Sequence, residues 1–137
     1  MRPGLLAGMT STVGTRVTEA MVAQLGGNPV HPVLATTQMI EWMEWAGRCL
    51  ILPYLEDDED AVGYAIDVVH LAPTLVGEEF RVTATLDSVD GDRVIVSVKA
   101  ENVREIIGKG RFVQVLVSKE LWGQRIQIVA QVPEQEI

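Results

Sequence analysis

The segment from Thr36 to Leu52 constrains the fold of this chain more than any other part of its sequence. Thr36 or Thr37 can cap a helix there, and Pro53 stops it because proline cannot continue an α-helix. At about 100° per residue, one face of that helix collects a nearly unbroken apolar set. Its members are Met39, Ile40, Met43, Ala46, Gly47, Leu50 and Ile51. The spacing predicts one long helix with a wide apolar face.

The other side of this helix is also largely apolar. It carries Trp42, Trp45, Cys49 and Leu52. The remaining polar residues occupy an arc of about 60°, and they are Thr37, Glu41, Glu44 and Arg48. Because a helix that is apolar nearly all round is a buried helix, this narrow polar stripe needs an explanation.

After the acidic run Glu56–Asp60, which predicts a solvated loop, the apolar residues alternate as they do in β-strands. Asp90-Gly91-Asp92 predicts a hairpin turn between two of the strands. The residues expected to share one strand face are Tyr64, Ile66, Val68 and His70, then Phe80, Val82, Ala84 and Leu86, then Val94, Val96, Val98 and Ala100.

Four further segments complete the predicted order of elements. A strand is expected at Thr10–Val17, and Gly26–Pro29 breaks the chain before the helix. A last strand is expected at about Ile106–Val117, in which Gly108 and Gly110 strip side chains from one sheet face for close packing. A short helix follows, capped by Ser118.

A strand, a long buried helix and four consecutive strands predict an α+β hot-dog fold, in which a curled antiparallel sheet wraps around one helix. We expect a single domain over residues 1–137, with a core at about 10–118 and a short helix and tail at 118–137. Because one sheet and one helix leave apolar surface uncovered, we expect a homodimer, and a higher homo-oligomer stays open.

The composition limits the classes of partner that we expect this chain to bind. The net charge of −8 repels phosphate backbones and anionic lipid, so we expect neither a nucleic acid nor a membrane as partner. The single cysteine, Cys49, cannot form an internal disulfide or a structural zinc site. No apolar run is long enough to span a bilayer, and residues 1–9 make a poor signal peptide. We expect a soluble cytoplasmic protein.

Three side chains offer chemistry, each with a structural alternative. Glu44 is either the partner of Arg48 in an i,i+4 ion pair or a carboxylate in a partly dry site that acts as base or nucleophile. His70 is either a core residue with one hydrogen bond or an acid/base. Thr36 is either a helix cap or the residue that positions water or substrate at a helix N-terminus. His31 could line a pocket mouth, but two distant histidines are no metal motif.

Together these residues resemble a known family, the hot-dog thioesterases related to fluoroacetyl-CoA thioesterase. The resemblance covers about residues 13–118 and has no obvious gap after Val33. It rests on Val33-Leu34-Ala35-Thr36, Met43-Glu44-Trp45-Ala46, Pro53-Tyr54-Leu55-Glu56, Val62-Gly63 through Val69-His70, Ala72-Pro73-Thr74, Val76-Gly77, Ser88-Val89-Asp90-Gly91 and Ile107-Gly108-Lys109-Gly110.

The resemblance implies a catalytic trio of Thr36, Glu44 and His70. The glutamate would be the nucleophile or water activator, the histidine the acid/base and the threonine the positioning group. It also implies that Gly63 contacts the acyl group, and that members are homodimers with sites at the subunit interface. Val33, Arg111 and Gln114 complete the expected substrate-binding set.

The chain also departs from the family pattern. The fluoroacetyl-specific enzyme has an aromatic gate shortly before the threonine, where this chain has Val30-His31-Pro32. An arginine late in the last long strand is replaced by Gln114, although Arg111 is near. We therefore expect a different acyl group of short or medium length.

The sequence thus predicts an acyl-CoA thioesterase that needs no metal or redox cofactor. Arg111, Lys109 or Arg81 would meet the CoA phosphates. Three alternatives stay open. They are a non-catalytic protein that binds acyl-CoA or another small ligand, a hydratase acting on enoyl-CoA, for which the expected Asp/His segment is missing, and a purely structural dimer.

Overall fold

The computed structural model describes residues 1–133. Its main sheet has five strands, all antiparallel, in the order β1-β5-β6-β7-β4. The strands and helices are β1 (Thr10–Arg16), β2 (Val22–Leu25), β3 (Asn28–Leu34), α1 (Thr36–Ile51), β4 (Glu59–His70), β5 (Glu79–Asp90), β6 (Arg93–Asn102), β7 (Ile106–Ser118) and α2 (Lys119–Ala130). The predicted α+β hot-dog arrangement, one curled sheet and one long helix, is confirmed.

Helix α1 lies against one face of the sheet, and the apolar face expected from the sequence is the one that packs. Six of its residues are buried, and Ile40 is half-buried. The helix is not buried all round, however, because Trp45 is 46% exposed in the single chain. The helix ends where predicted: a 3-10 turn at Leu52–Tyr54 carries Pro53 in its first residues.

The alternation in β5 and β6 is confirmed over residues 80–86 and 94–100, where every second residue is buried. These residues are Phe80, Val82, Ala84, Leu86, Val94, Val96, Val98 and Ala100. The turn between the strands contains Gly91 at φ +61°, a left-handed conformation that glycine adopts without strain. Helix α2 begins after Ser118, whose side chain accepts a hydrogen bond from the Leu121 N–H, so that predicted cap is also confirmed.

Gly26 and Gly27 break the chain as predicted, and they do so as the turn of a β2–β3 hairpin that the sequence did not predict. Two other predictions about local structure were wrong in part. The acidic run is not all loop, since Glu59 and Asp60 already belong to β4. Tyr64 leaves the face of Ile66, Val68 and His70: a bulge between Gly63 and Ala65 turns its ring outward, onto the guanidinium of Arg93 at 4.1 Å.

Strand β4 lies at the edge of the sheet, where its outer side has no partner strand within the part of the chain that the structure describes. Exposed apolar side chains accompany this edge: Tyr64 is 59% exposed, Val69 48% and Leu71 53%. None of the helices within residues 1–133 is long and apolar enough to cross a membrane.

Candidate active site

The start of α1 meets the end of β4 through two polar side chains. The hydroxyl oxygen of Thr36 lies 2.8 Å from Nδ1 of His70, at hydrogen-bond distance. The prediction that Thr36 or Thr37 caps the helix was wrong. Ala35 occupies the N-cap position, and no side chain within residues 1–133 makes a cap hydrogen bond there. The Thr36 hydroxyl therefore pairs with the imidazole and does not cap the start of the helix.

The other ring nitrogen of His70 has no such partner. Nε2 is buried and makes no hydrogen bond with any described residue. Burial of the ring lowers the pKa of His70 below its ordinary value, and a backbone interaction at Ala72 opposes that effect only in part. The neutral ring, which this favours, can accept a proton on one nitrogen while Thr36 fixes the other.

Glu44 lies two helical turns further along α1, beside a cavity of about 520 Å3. Of the two alternatives for Glu44, the ion pair with Arg48 is not formed. Arg48 binds a carboxylate oxygen of Asp60 at 3.0 Å and the carbonyl oxygen of Ala61 at 3.0 Å, which together satisfy its planar guanidinium. Glu44 is exposed in the single chain and forms no ion pair with another residue of the range 1–133.

Gly63 opens the cavity on the strand side. It faces the helix, and a Cβ added there would lie 3.8 Å from the Glu44 carboxylate and 3.7 Å from the Phe112 ring. Such contacts are ordinary, so the fold does not require glycine for close packing at this position. What glycine provides is open space next to the Glu44 carboxylate.

Gln114 lies opposite Gly63 across the β4–β7 pair. It is only 2% exposed, and its amide nitrogen has no hydrogen-bond partner among the residues described. The side chain borders the same cavity as Glu44 and Gly63. An unpaired buried donor is rare in folded proteins, so we expect this amide to donate a hydrogen bond to a ligand or a water.

The other expected binding residues lie elsewhere in the single chain. Val33 is half-buried and forms an isolated bridge to Leu75, close to the start of α1. Arg111 and Lys109 are exposed and project from the sheet face opposite Phe112 and Gln114. Arg81 is held by Glu101 at 3.3 Å, and His31 lines a separate shallow pocket near Glu19.

Sequence reasoning missed the aromatic walls of the cavity, which are Trp42, Trp45 and Phe112. The sequence pattern is typical of core residues at all three positions. Of the three, Trp45 is distinguished from a core residue by its partial exposure. Within the described range, no group of three or more His, Cys, Asp and Glu side chains is placed to hold a metal ion.

The structure thus forms two clusters and does not join them within one chain. Thr36 meets His70, and Glu44 meets Gly63 beside Gln114. Along the helix axis, Thr36 and Glu44 are about 12 Å apart at about 1.5 Å per residue. Along β4, Gly63 and His70 are about 23 Å apart at about 3.3 Å per residue.

Comparisons with known proteins agree on one family. The family model described as fluoroacetyl-CoA-specific thioesterase matches residues 17–120. A fluoroacetyl-CoA thioesterase of Streptantibioticus cattleyicolor is 37% identical over 95 residues, which are 69% of this chain and 68% of that protein.

Two solved structures extend the similarity to nearly the whole fold. A hypothetical protein of Thermus thermophilus in the thioesterase superfamily has a TM-score of 0.92 and 37% identity, covering 96% of each chain. The fluoroacetyl-CoA thioesterase FlK has a TM-score of 0.86 and 29% identity, covering 95% of this chain and 99% of that one. Variants of FlK have been crystallised with acetyl-CoA, and with fluoroacetate and CoA.

The matched region contains both clusters, and the family model alone covers well over half of the chain. The protein therefore belongs to the fluoroacetyl-CoA-specific thioesterase family, a family of thioester hydrolases.

Proposed function

We propose that this protein is an acyl-CoA thioesterase that hydrolyses a short- or medium-chain acyl-CoA to the free acid and CoA, using Thr36, Glu44 and His70. The observation that carries the proposal is the 2.8 Å contact between the Thr36 hydroxyl and Nδ1 of His70, with Nε2 left without a partner. A histidine held at one nitrogen and open at the other suits general acid/base work.

Each step of hydrolysis has a candidate group. The Glu44 carboxylate removes a proton from the water that attacks the thioester carbonyl, or attacks it directly to form an anhydride that water then hydrolyses. When the C–S bond breaks, His70 delivers a proton to the departing CoA thiolate, and the proton given up by the water restores His70. The uncapped first turn of α1 offers backbone N–H groups to the oxyanion that develops on the carbonyl. Gly63 leaves room for the acyl group beside Glu44.

These groups lie too far apart to act together within one chain, so we propose that the site is completed in a homodimer. The free edge of β4, with exposed Tyr64 and Val69, is a ready surface for antiparallel pairing with a second copy. A two-fold axis near Ile66 runs the two β4 strands in opposite directions. Gly63 and Glu44 of one protomer then approach the partner's His70.

The cavity has room for an acyl chain. Its volume is about 520 Å3, and aromatic side chains form its walls. Relatives named for fluoroacetyl-CoA, and FlK variants crystallised with acetyl-CoA, support CoA as the carrier. Arg111 and Lys109 enter no ion pair among residues 1–133 and remain candidates for the CoA phosphates.

The test is CoA release from a panel of acyl-CoAs, running from acetyl and fluoroacetyl through medium-chain, long-chain and aryl thioesters. Chromatographic detection avoids interference from the Cys49 thiol. We expect turnover of short- or medium-chain thioesters, and its loss in Glu44→Gln. Binding without release across the panel would instead identify a non-catalytic acyl-CoA binding protein.

A further inference from the structure

Gln114 is a buried polar side chain that the fold does not use. It is 98% removed from solvent, yet its amide nitrogen has no hydrogen-bond partner within the described range. Burying an unpaired amide is unfavourable, and an apolar residue of the same size would avoid the cost. The amide therefore has no evident structural role in stabilising this position.

The cross-strand neighbours of Gln114 do not supply the missing partner. Gly63 and Val94 lie opposite it on the two adjacent strands, and neither has a polar side chain. From the helix it faces Gly47, where an added Cβ would lie 3.5 Å from Nε2 of Gln114. The Gln114 side chain also borders the cavity that it shares with Glu44 and Trp45.

The charges around this cavity limit what can enter it. Glu41 and Glu44 both line it, and Arg48, the one cation among its lining residues in the range 1–133, is already bound to Asp60 at 3.0 Å. A carboxylate on the acyl chain would meet two acidic side chains and no unpaired cation among the described lining residues, which is unfavourable. A neutral oxygen acceptor on the acyl chain would meet no such repulsion.

We propose that the Gln114 amide donates a hydrogen bond to a neutral oxygen on the acyl chain, so that the enzyme is specific for hydroxyacyl or oxoacyl thioesters over plain alkyl ones. This inference rests on the proposed function and names its substrate class. A site that hydrogen-bonds a substrate hydroxyl discriminates strongly against the analogue without it, because the buried donor is then left unpaired.

The test compares binding of paired thioether analogues of CoA, which cannot be hydrolysed. In every pair, one analogue carries a plain four-carbon chain. Its counterpart carries the same chain with a hydroxyl at carbon 2, 3 or 4, or with a 3-oxo group. We expect at least one oxygenated analogue to bind wild type about tenfold or more tightly than the alkyl one. In Gln114→Met, which keeps the volume and removes the donor, that preference should disappear.

Gln124→Met, on the exposed surface of α2, is the matched control and should retain the preference. The same pairs, supplied as thioesters, should show a corresponding change in the ratio of kcat/KM values. A merely structural role for Gln114 would weaken both members of a pair alike and leave the ratio unchanged.

The outcomes separate the two proposals. Equal binding of oxygenated and alkyl analogues, or binding of neither, overturns the role of Gln114, and CoA release by wild type would still support the thioesterase. A preference for oxygen that depends on Gln114 supports the inference even when no thioester is hydrolysed, in which case the proposed function alone fails.

Discussion

The Thr36 hydroxyl and Nδ1 of His70, 34 positions apart in the chain, lie 2.8 Å from each other. This contact joins the first residue of α1 to the last residue of β4. It fixes the orientation of the imidazole from one side and leaves Nε2 without a partner among residues 1–133. The positioning of His70 therefore depends on a hydroxyl carried by the first residue of the helix.

Removing this hydroxyl should impair catalysis more than folding. We expect Thr36→Val to lower kcat by about 10- to 100-fold, because the ring loses the group that orients it for proton transfer. Thr36→Ser should retain most of the activity. The matched control is Thr37→Val, one position along the exposed start of the same helix. Equal effects at the two positions in steady-state kinetics would refute the positioning role.

The titration of His70 reports on what surrounds it. Burial lowers the pKa of this ring below its ordinary value of about 6.5. In the proposed dimer, the Glu44 carboxylate of the other protomer opposes that shift because it stabilises the imidazolium. We expect the pKa of His70 to lie below about 6.5 in Glu44→Gln and to be higher in wild type.

The measurement is an NMR titration of the imidazole resonances, with His31→Asn to assign the two histidines. The stability of Glu44→Gln should follow from linkage. Between the lowered pKa and about 6.5, the unfolded chain binds more protons than the folded one. The contribution of His70 is therefore complete above about pH 6.5 and is lost as the pH falls through the folded pKa. An unchanged pKa in the variant would place Glu44 away from the ring.

The sequence predicted well those elements whose burial is one-sided. In β5 and β6, alternate residues face α1, so the pattern of apolar side chains reproduces the geometry directly. The β2–β3 hairpin was not predicted, because most of its residues are exposed and therefore show no apolar alternation. Pro29 and Pro32 also argue against a strand. Gly63 was the available sign of the bulge that turns Tyr64 outward.

The candidate site was less accessible to pattern reasoning. The i,i+4 spacing suggested a pair between Glu44 and Arg48. In the structure, Arg48 instead binds the Asp60 carboxylate and the Ala61 carbonyl. Neither periodicity nor spacing reveals this contact with a distant segment. The grouping of Thr36 with His70 came from the family resemblance, since contacts between distant segments leave no local signal. The separation of Glu44 from that pair required coordinates.

Strands β4 and β7 approach each other closely at Gly110, and we expect the stability of the protein to depend on the absence of a side chain there. A Cβ at this position would overlap the carbonyl oxygen of Asp67 and the side chain of Val68, and backbone cannot move aside cheaply. We expect Gly110→Ala to reduce the free energy of unfolding by about 1–3 kcal/mol.

The control for this variant is Gly123→Ala in α2, where an added Cβ meets nothing within 4 Å. It should raise the free energy of unfolding by about 0.5–1 kcal/mol, since alanine favours a helix. Urea denaturation at one protein concentration checks both values. A neutral Gly110→Ala would mean that the close approach of β4 and β7 is not required.

Glu44→Gln and His70→Ala should each lower turnover by about 100-fold or more, the scale expected for an acid/base group. The two variants also test whether each site draws on both protomers. If Glu44 acts with the partner's His70, a heterodimer of the two variants has one site with both defects and one intact site. If each site lies within one chain, every site in the mixture carries a defect.

Co-expression of the two variants with different affinity tags therefore gives opposite results under the two arrangements. Random association makes about half of the dimers heterodimers, so the shared site predicts recovery to about a quarter of wild-type activity. Each variant co-expressed with its own tagged copy is the control and should stay inactive. Purified heterodimers as inactive as the parents, or a light-scattering mass of a single chain, would exclude a site shared between protomers.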